Sequence, residues 1–127
     1  MLKDLSPGIK ISISRSITTV FEQYMSKIEW DDDKFDLEHL MEDWRNYIIH
    51  SSSWYGQISN DIKSDPAFHH NLAAKINETI EKITSEEPTK AQMEEIAELE
   101  KQANKEYNYS CKLEAKYVID RLKTELN

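Results

Sequence analysis

The chain has little glycine, proline and cysteine: two, three and one among 127 residues. Two glycines argue against a β-sandwich or β-barrel, because the tight turns of those folds need residues that accept unusual backbone angles. The single cysteine, Cys111, excludes an internal disulfide and is compatible with a reducing compartment. These absences favour an all-α protein located in the cytoplasm.

Long apolar runs and basic patches are also missing from the sequence. No stretch approaches the roughly 18 apolar residues of a membrane span, and the N-terminal residues lack the basic-then-apolar order of a signal peptide. Acidic residues outnumber lysine and arginine by 24 to 16, whereas a surface that neutralises phosphates must be basic. We therefore expect neither a membrane nor a nucleic acid as a direct partner.

Periodic apolar residues dominate the rest of the chain. Residues of this kind recur at steps of three and four, which is typical of helices with one buried face. Each of the three prolines lies near an expected helix start, where a missing N–H costs least. The pattern predicts an antiparallel four-helix bundle, folded as a single domain over residues 1–127, with helices at about 7–29, 37–62, 66–84 and 90–126.

The last of these helices is expected to be the longest. It begins with a capping-box pair, Thr89 and Gln92, and its 37 residues would span about 55 Å, against about 28 Å for the third helix. Such a helix either breaks near residues 104–108 or projects beyond its neighbours, leaving an apolar stripe uncovered. We expect this stripe to contribute to a homodimer contact through Tyr107, Cys111, Val118 and Leu122.

The strongest charge feature is residues 29–43, where eight acidic residues face one lysine. This segment therefore carries −7 of the chain's net charge of −8. A concentrated negative potential steers a basic partner and raises its encounter rate, and aromatic neighbours supply contact area. We predict a non-enzymatic module that binds a basic protein through residues 29–44, as an inhibitor, immunity or regulatory protein would. The predicted contact residues are Trp30, Asp31, Asp32, Asp33, Phe35, Asp36 and Trp44.

Signals for catalysis or cofactor binding are weak. Asp31, Asp33 and Glu42 stand at positions one, three and twelve of a calcium loop, but position five lacks an oxygen ligand and position six lacks glycine. No two histidines have the helical spacing of a zinc or di-iron site, and Cys111 has no evident base beside it. The sequence predicts no catalytic residue, no metal site and no cofactor.

One short motif supports a different function. Trp54-Tyr55-Gly56 resembles the Trp-x-Gly turn of the small secreted helical-hairpin proteins of the WXG family. That resemblance implies a turn followed by a helix from Gln57, dimerisation, and export without a cleaved signal. Arg121 stands four residues after Tyr117, where the family's export signal has an acid. The alternative function is thus a homodimeric structural or export-associated protein; otherwise Trp54 and Tyr55 are core or rim aromatics of the second helix.

Overall fold

A computed structural model of the chain describes residues 5–127. Within that range the chain forms helices, 3₁₀ turns and loops but no strand, which confirms the all-α prediction. The structure divides into two compact units, Met1–Ile80 and Glu81–Asn127. The helices of the described range are α1 (Pro7–Lys27), α2 (Leu37–His50), α3 (Asn60–Lys63), α4 (Pro66–Ser85), α5 (Lys90–Ala103) and α6 (Lys112–Leu126).

Short-range capping sets where the longer helices start. The Ser6 hydroxyl accepts a hydrogen bond from the Ile9 N–H at 3.2 Å, and Pro7 follows as the first residue of α1. At the start of α5, Thr89 and Gln92 form the predicted capping box, with both reciprocal hydrogen bonds at 3.0 Å. These starts are confirmed.

The second helix is shorter than predicted. It ends at His50 instead of continuing to residue 62. The serines that follow bind the last carbonyls: the Ser51 and Ser52 N–H groups both donate to the Tyr47 carbonyl, at 2.8 and 3.2 Å. The Ser52 hydroxyl also donates to the Ile48 carbonyl at 2.8 Å. Serine competes in this way with helix continuation, so α2 ends here instead of continuing.

The buried face of α2 also differs from the expected stripe. Leu40, Trp44 and Ile48 are 3–5% exposed and form that face. The apolar repeat at steps of four and three, Leu37, Met41, Trp44 and Ile48, predicts a buried Leu37. Leu37 is instead 52% exposed, because it is the first residue of the helix. The remaining buried apolar residues of the first unit are Ile13, Ile17, Val20, Phe21, Tyr24, Met25, Trp54, Ile58, Phe68, Leu72 and Ile76.

The second unit corrects the prediction of one long C-terminal helix. α5 ends at Ala103, and Asn104 adopts a left-handed conformation with φ 55°. Asparagine accepts this conformation better than other residues with a Cβ, which makes it an effective helix stop. The chain therefore breaks within residues 104–108, and α6 begins separately at Lys112.

The two helices of this unit form a hairpin with its own apolar core. Ile96 of α5 packs with Ala115, Val118, Ile119 and Leu122 of α6, and all five side chains are at most 8% exposed. Tyr107, in the connecting loop, is half-buried against this cluster.

The expectation of an uncovered stripe is therefore wrong. Cys111, Val118 and Leu122 are 1%, 2% and 0% exposed, because the chain reverses after α5 and lets α6 pack against it. Tyr107 contributes to the same packing. A homodimer stays a prediction, but it loses the exposed apolar surface on which we based it.

A polar cluster joins the connecting loop of the hairpin to the end of α6. The Tyr107 hydroxyl donates a hydrogen bond to Glu125 Oε1 at 2.6 Å, and Arg121 Nε lies 3.2 Å from the same oxygen. Lys105 Nζ lies 3.4 Å from Glu125 Oε2. The hydrogen bond from Tyr107, with help from the two cations, lowers the pKa of Glu125, and the same hydrogen bond raises the pKa of Tyr107.

This cluster predicts a contribution to acid stability. Because the folded pKa of Glu125 is lowered, the carboxylate stabilises the fold above its unfolded pKa, and this stabilisation is lost as the pH falls through the folded pKa. Glu125→Gln keeps an oxygen acceptor but removes the charge, so we expect a shallower loss of stability on acidification. Urea midpoints measured between about pH 3 and 7 test this. Glu98→Gln, an exposed acid of α5, is the matched control; identical pH profiles for both variants would contradict the prediction.

Candidate partner-binding surface

The acidic segment begins with a sharp change of chain direction after α1. The Glu29 N–H donates to the Ser26 carbonyl at 3.1 Å, and the Trp30 N–H donates to the Met25 carbonyl at 2.8 Å. This is the Schellman pattern of helix ends, in which the residue after the cap is usually glycine. Here Glu29 and Trp30 both have positive φ, at 58° and 55°, which strains residues with a Cβ. The turn ends α1 and leads directly into the acidic residues.

A 3₁₀ turn, Asp32–Lys34, then displays the acids. Asp31 caps this turn, since its Oδ1 accepts a hydrogen bond from the Asp33 N–H at 3.0 Å. Asp31 is half-buried, whereas Asp32 and Asp33 are exposed. Two of the three consecutive carboxylates therefore lie free of any packing role, which is the placement that electrostatic steering requires.

Asp36 and Tyr24 hold this turn in place. Asp36 is the N-cap of α2, and its Oδ1 accepts a hydrogen bond from the Glu38 N–H at 2.9 Å. The Tyr24 hydroxyl of α1 accepts from the Asp36 N–H at 2.8 Å and donates to the Asp36 carbonyl at 3.2 Å. Tyr24 is only 2% exposed. A buried side chain of α1 thus fixes the position of the acidic loop, a role that the sequence reveals only as a core residue.

The aromatic residues of the predicted site divide into buried and exposed ones. Trp44 is 5% exposed and packs against Trp54 with ring centroids 6.3 Å apart. It is a core residue, and its burial argues against the predicted role as a contact residue. Trp30 is half-buried and packs edge-on against Phe21 at 6.0 Å, with a buried indole N–H that has no hydrogen-bond partner among the described residues.

Two side chains provide the exposed apolar area beside the acids. Phe35 is 39% exposed, and the rest of its ring packs edge-on against Tyr24 at 5.7 Å. Leu37 is 52% exposed at the start of α2. Leu37 was missed as a candidate because its apolar character fitted the helical stripe; its place immediately after the N-cap was the signal that could have identified it.

Few internal cations neutralise the segment. Lys27 Nζ lies 2.9 Å from Asp43 Oδ2, and His39 Nδ1 lies 3.6 Å from Asp36 Oδ2. Both pairs are solvent-exposed and contribute about 0–1 kcal/mol each at most. The exposed carboxylates of Asp32 and Asp33 are therefore available to a partner.

The structure places no metal-ligand cluster in this part of the chain. Over residues 5–127, no group of three histidine, cysteine, aspartate or glutamate side chains converges as metal ligands do. None of the helices in the same range is both long and apolar enough to cross a membrane.

The Trp-x-Gly segment forms a turn, but not the helix from Gln57 that its resemblance implies. Tyr55–Gln57 is a single 3₁₀ turn, and the next helix begins at Asn60 rather than Gln57. Trp54 is 2% exposed, in agreement with the interpretation as a core aromatic. No family model, no curated protein and no solved structure matches the chain.

Proposed function

We propose that this protein is a non-enzymatic binding module that engages a basic protein through residues 29–44. The observation that supports this most strongly is the combination of exposed Asp32 and Asp33 with exposed apolar Phe35 and Leu37 on one short loop. Carboxylates of this kind accelerate encounter, whereas apolar side chains contribute area that is buried after contact. An inhibitor, immunity protein or regulator of a basic target would use such a surface.

The position of the loop favours binding over a purely structural role. Two hydrogen bonds between Tyr24 and the Asp36 backbone, together with the packing of Phe35, hold the loop against α1, so little conformational freedom is lost when a partner docks. The strained Glu29 and Trp30 backbone orients the acids outward. The proposed contacts are Trp30, Asp31, Asp32, Asp33, Phe35 and Asp36, as expected from the sequence, with exposed Leu37 added and buried Trp44 removed.

The proposal includes three expectations from the sequence. The module would act in the cytoplasm, in keeping with a single unpaired cysteine. Its helices would pack as an antiparallel bundle, and both units would fold as one domain. A homodimer is compatible with the proposal, provided that its contact leaves residues 29–44 open.

Neutralising the acidic turn tests the proposal. We expect Asp31→Asn/Asp32→Asn/Asp33→Asn to lose a basic partner that the wild-type protein captures from a lysate of its native host, because the steering potential is removed while the Asp31 cap can be kept by asparagine. The matched control, Glu87→Gln/Glu98→Gln/Asp120→Asn, removes the same charge from exposed residues outside this surface. Retained proteins are identified by mass spectrometry.

Two readouts decide the outcome. A basic protein retained by the wild type and by the control, but not by the acidic-turn variant, and released as salt rises toward physiological ionic strength, supports the proposal. Equal retention by both triple variants, or an affinity that does not change with salt concentration, would contradict the proposal. Retention of the chain's own copies alone would favour the homodimeric alternative.

A further inference from the structure

A groove lies between α1 and α2 in the first unit. It has a volume of about 350 Å³. Its walls are formed by two residues of α1, four residues of α2 from Asp43 onward, and the residue after that helix. The lining residues are Val20, Gln23, Asp43, Asn46, Tyr47, His50 and Ser51.

Four polar side chains of this groove are not occupied by the protein itself. In the described part of the chain, Gln23, Asn46, Tyr47 and His50 make no side-chain hydrogen bond or ion pair. Val20, 2% exposed, provides an apolar base. The groove therefore presents amide and hydroxyl oxygens around a small apolar floor, which is the composition of a site for a polar ligand group.

Asp43 makes the groove selective for a cation. It is the only carboxylate among the lining residues, and its Oδ2 already lies 2.9 Å from the Lys27 ammonium. Lys27 does not line the groove, and its side chain is 62% exposed. Such an exposed pair is weak, so a ligand cation with more hydrogen bonds can replace the ammonium.

We propose that this groove binds the guanidinium group of an arginine side chain. A guanidinium is planar, carries five N–H donors and is less strongly hydrated than an ammonium, so it can bond Asp43 and the amide oxygens of Gln23 and Asn46 together. A lysine ammonium would only repeat the contact that Lys27 already makes. The inference rests on the proposed function, because the arginine would belong to the same basic partner, and Asp43 closes the acidic segment.

A peptide titration tests the groove without the partner. Ac-Gly-Arg-Gly-NH₂ is added to ¹⁵N-labelled protein, with the lysine and citrulline peptides as controls for charge and shape. We expect saturable amide shifts at Val20, Gln23, Asn46 and Tyr47, with a dissociation constant on the order of millimolar. Asp43→Asn should weaken the affinity by about tenfold or more, since a charge-assisted hydrogen bond is lost.

Two lysine variants distinguish binding at the groove from a general effect of net charge on peptide affinity. Lys27→Met should tighten arginine binding, because it removes the competing ammonium from Asp43. Lys34→Met makes the same charge change in the acidic turn and should leave the groove affinity unchanged. Equal effects of both variants, equal binding of the arginine and lysine peptides, or no saturable shift up to about 20 mM would each overturn the inference.

The two proposals can fail separately. Peptide shifts confined to residues 31–36, together with partner loss by the acidic-turn variant, would reject the groove and keep the proposed function. Saturable arginine binding at the groove, together with equal partner retention by both triple variants, would keep the groove and reject the acidic surface.

Discussion

Trp54→Ala is expected to lower the free energy of unfolding by about 3–5 kcal/mol, the range for removing a large aromatic side chain from a core. Trp54 is 2% exposed and packs against Trp44 at 6.3 Å and Tyr55 at 5.7 Å. It lies in the loop between α2 and α3, where side-chain packing rather than helical hydrogen bonding holds the chain. Urea unfolding followed by circular dichroism measures the change.

A second variant at the same position tests the origin of this effect. The Trp54 indole N–H is buried and has no hydrogen-bond partner in the described chain, which costs about 1–3 kcal/mol. Trp54→Phe removes that unpaired donor while keeping most of the ring contacts, so we expect it to cost clearly less than Trp54→Ala. Equal losses for the two variants would mean that the N–H contributes favourably, contrary to the packing seen here.

Phe35→Ala is the control, because it removes an exposed aromatic side chain instead of a buried one. Phe35 is 39% exposed, so Phe35→Ala should change the free energy of unfolding by less than about 1 kcal/mol. This change is well below the loss expected for Trp54→Ala. A loss as large as that of Trp54→Ala would assign Phe35 to the core and would weaken its role as a contact residue.

Helix starts were predictable because they depend on near neighbours. Ser6, Asp36 and Thr89 each cap a helix through backbone N–H groups two or three residues further along the chain. The acidic segment was predictable for a similar reason, since charge density can be counted along the sequence and charged side chains stay in solvent.

Helix ends and burial were less predictable because they depend on distant contacts. The apolar repeat runs through residues 51–56 without a break, yet α2 stops at His50 and Trp54 packs back against Trp44 from a loop. Periodicity gives a spacing but does not determine which positions are buried: Leu37 fitted the apolar repeat and is 52% exposed, whereas Leu40 is 3% exposed.

The candidate site was also predictable only in part. Its charges followed from composition, but its aromatic contacts did not, because closeness in sequence to the acids does not determine exposure. Trp44 lies next to Asp43 and still faces inward. The contact from Tyr24 to Asp36 spans 12 residues and has no local signal, although it fixes the whole acidic loop.

Leu122→Ala is expected to lower the free energy of unfolding by about 2–5 kcal/mol, because Leu122 is 0% exposed in the core of the α5–α6 hairpin. Met93→Ala, at a 45% exposed position of α5, is the control and should have little effect. Circular dichroism at several urea concentrations gives the midpoints of both variants.

The same variant tests whether Leu122 is a dimer contact. If it stabilises a hairpin within one chain, its unfolding midpoint falls by the same amount at every protein concentration, and light scattering gives the same mass for variant and wild type. If it lies between two copies, the wild-type midpoint rises with protein concentration, and the variant shifts toward a monomer of lower mass, because association stabilises only the folded dimer. The burial of Leu122 beside Ile96 and Val118 within one chain favours a midpoint that does not depend on protein concentration. A side chain that contacts only a second copy would be exposed in the single chain.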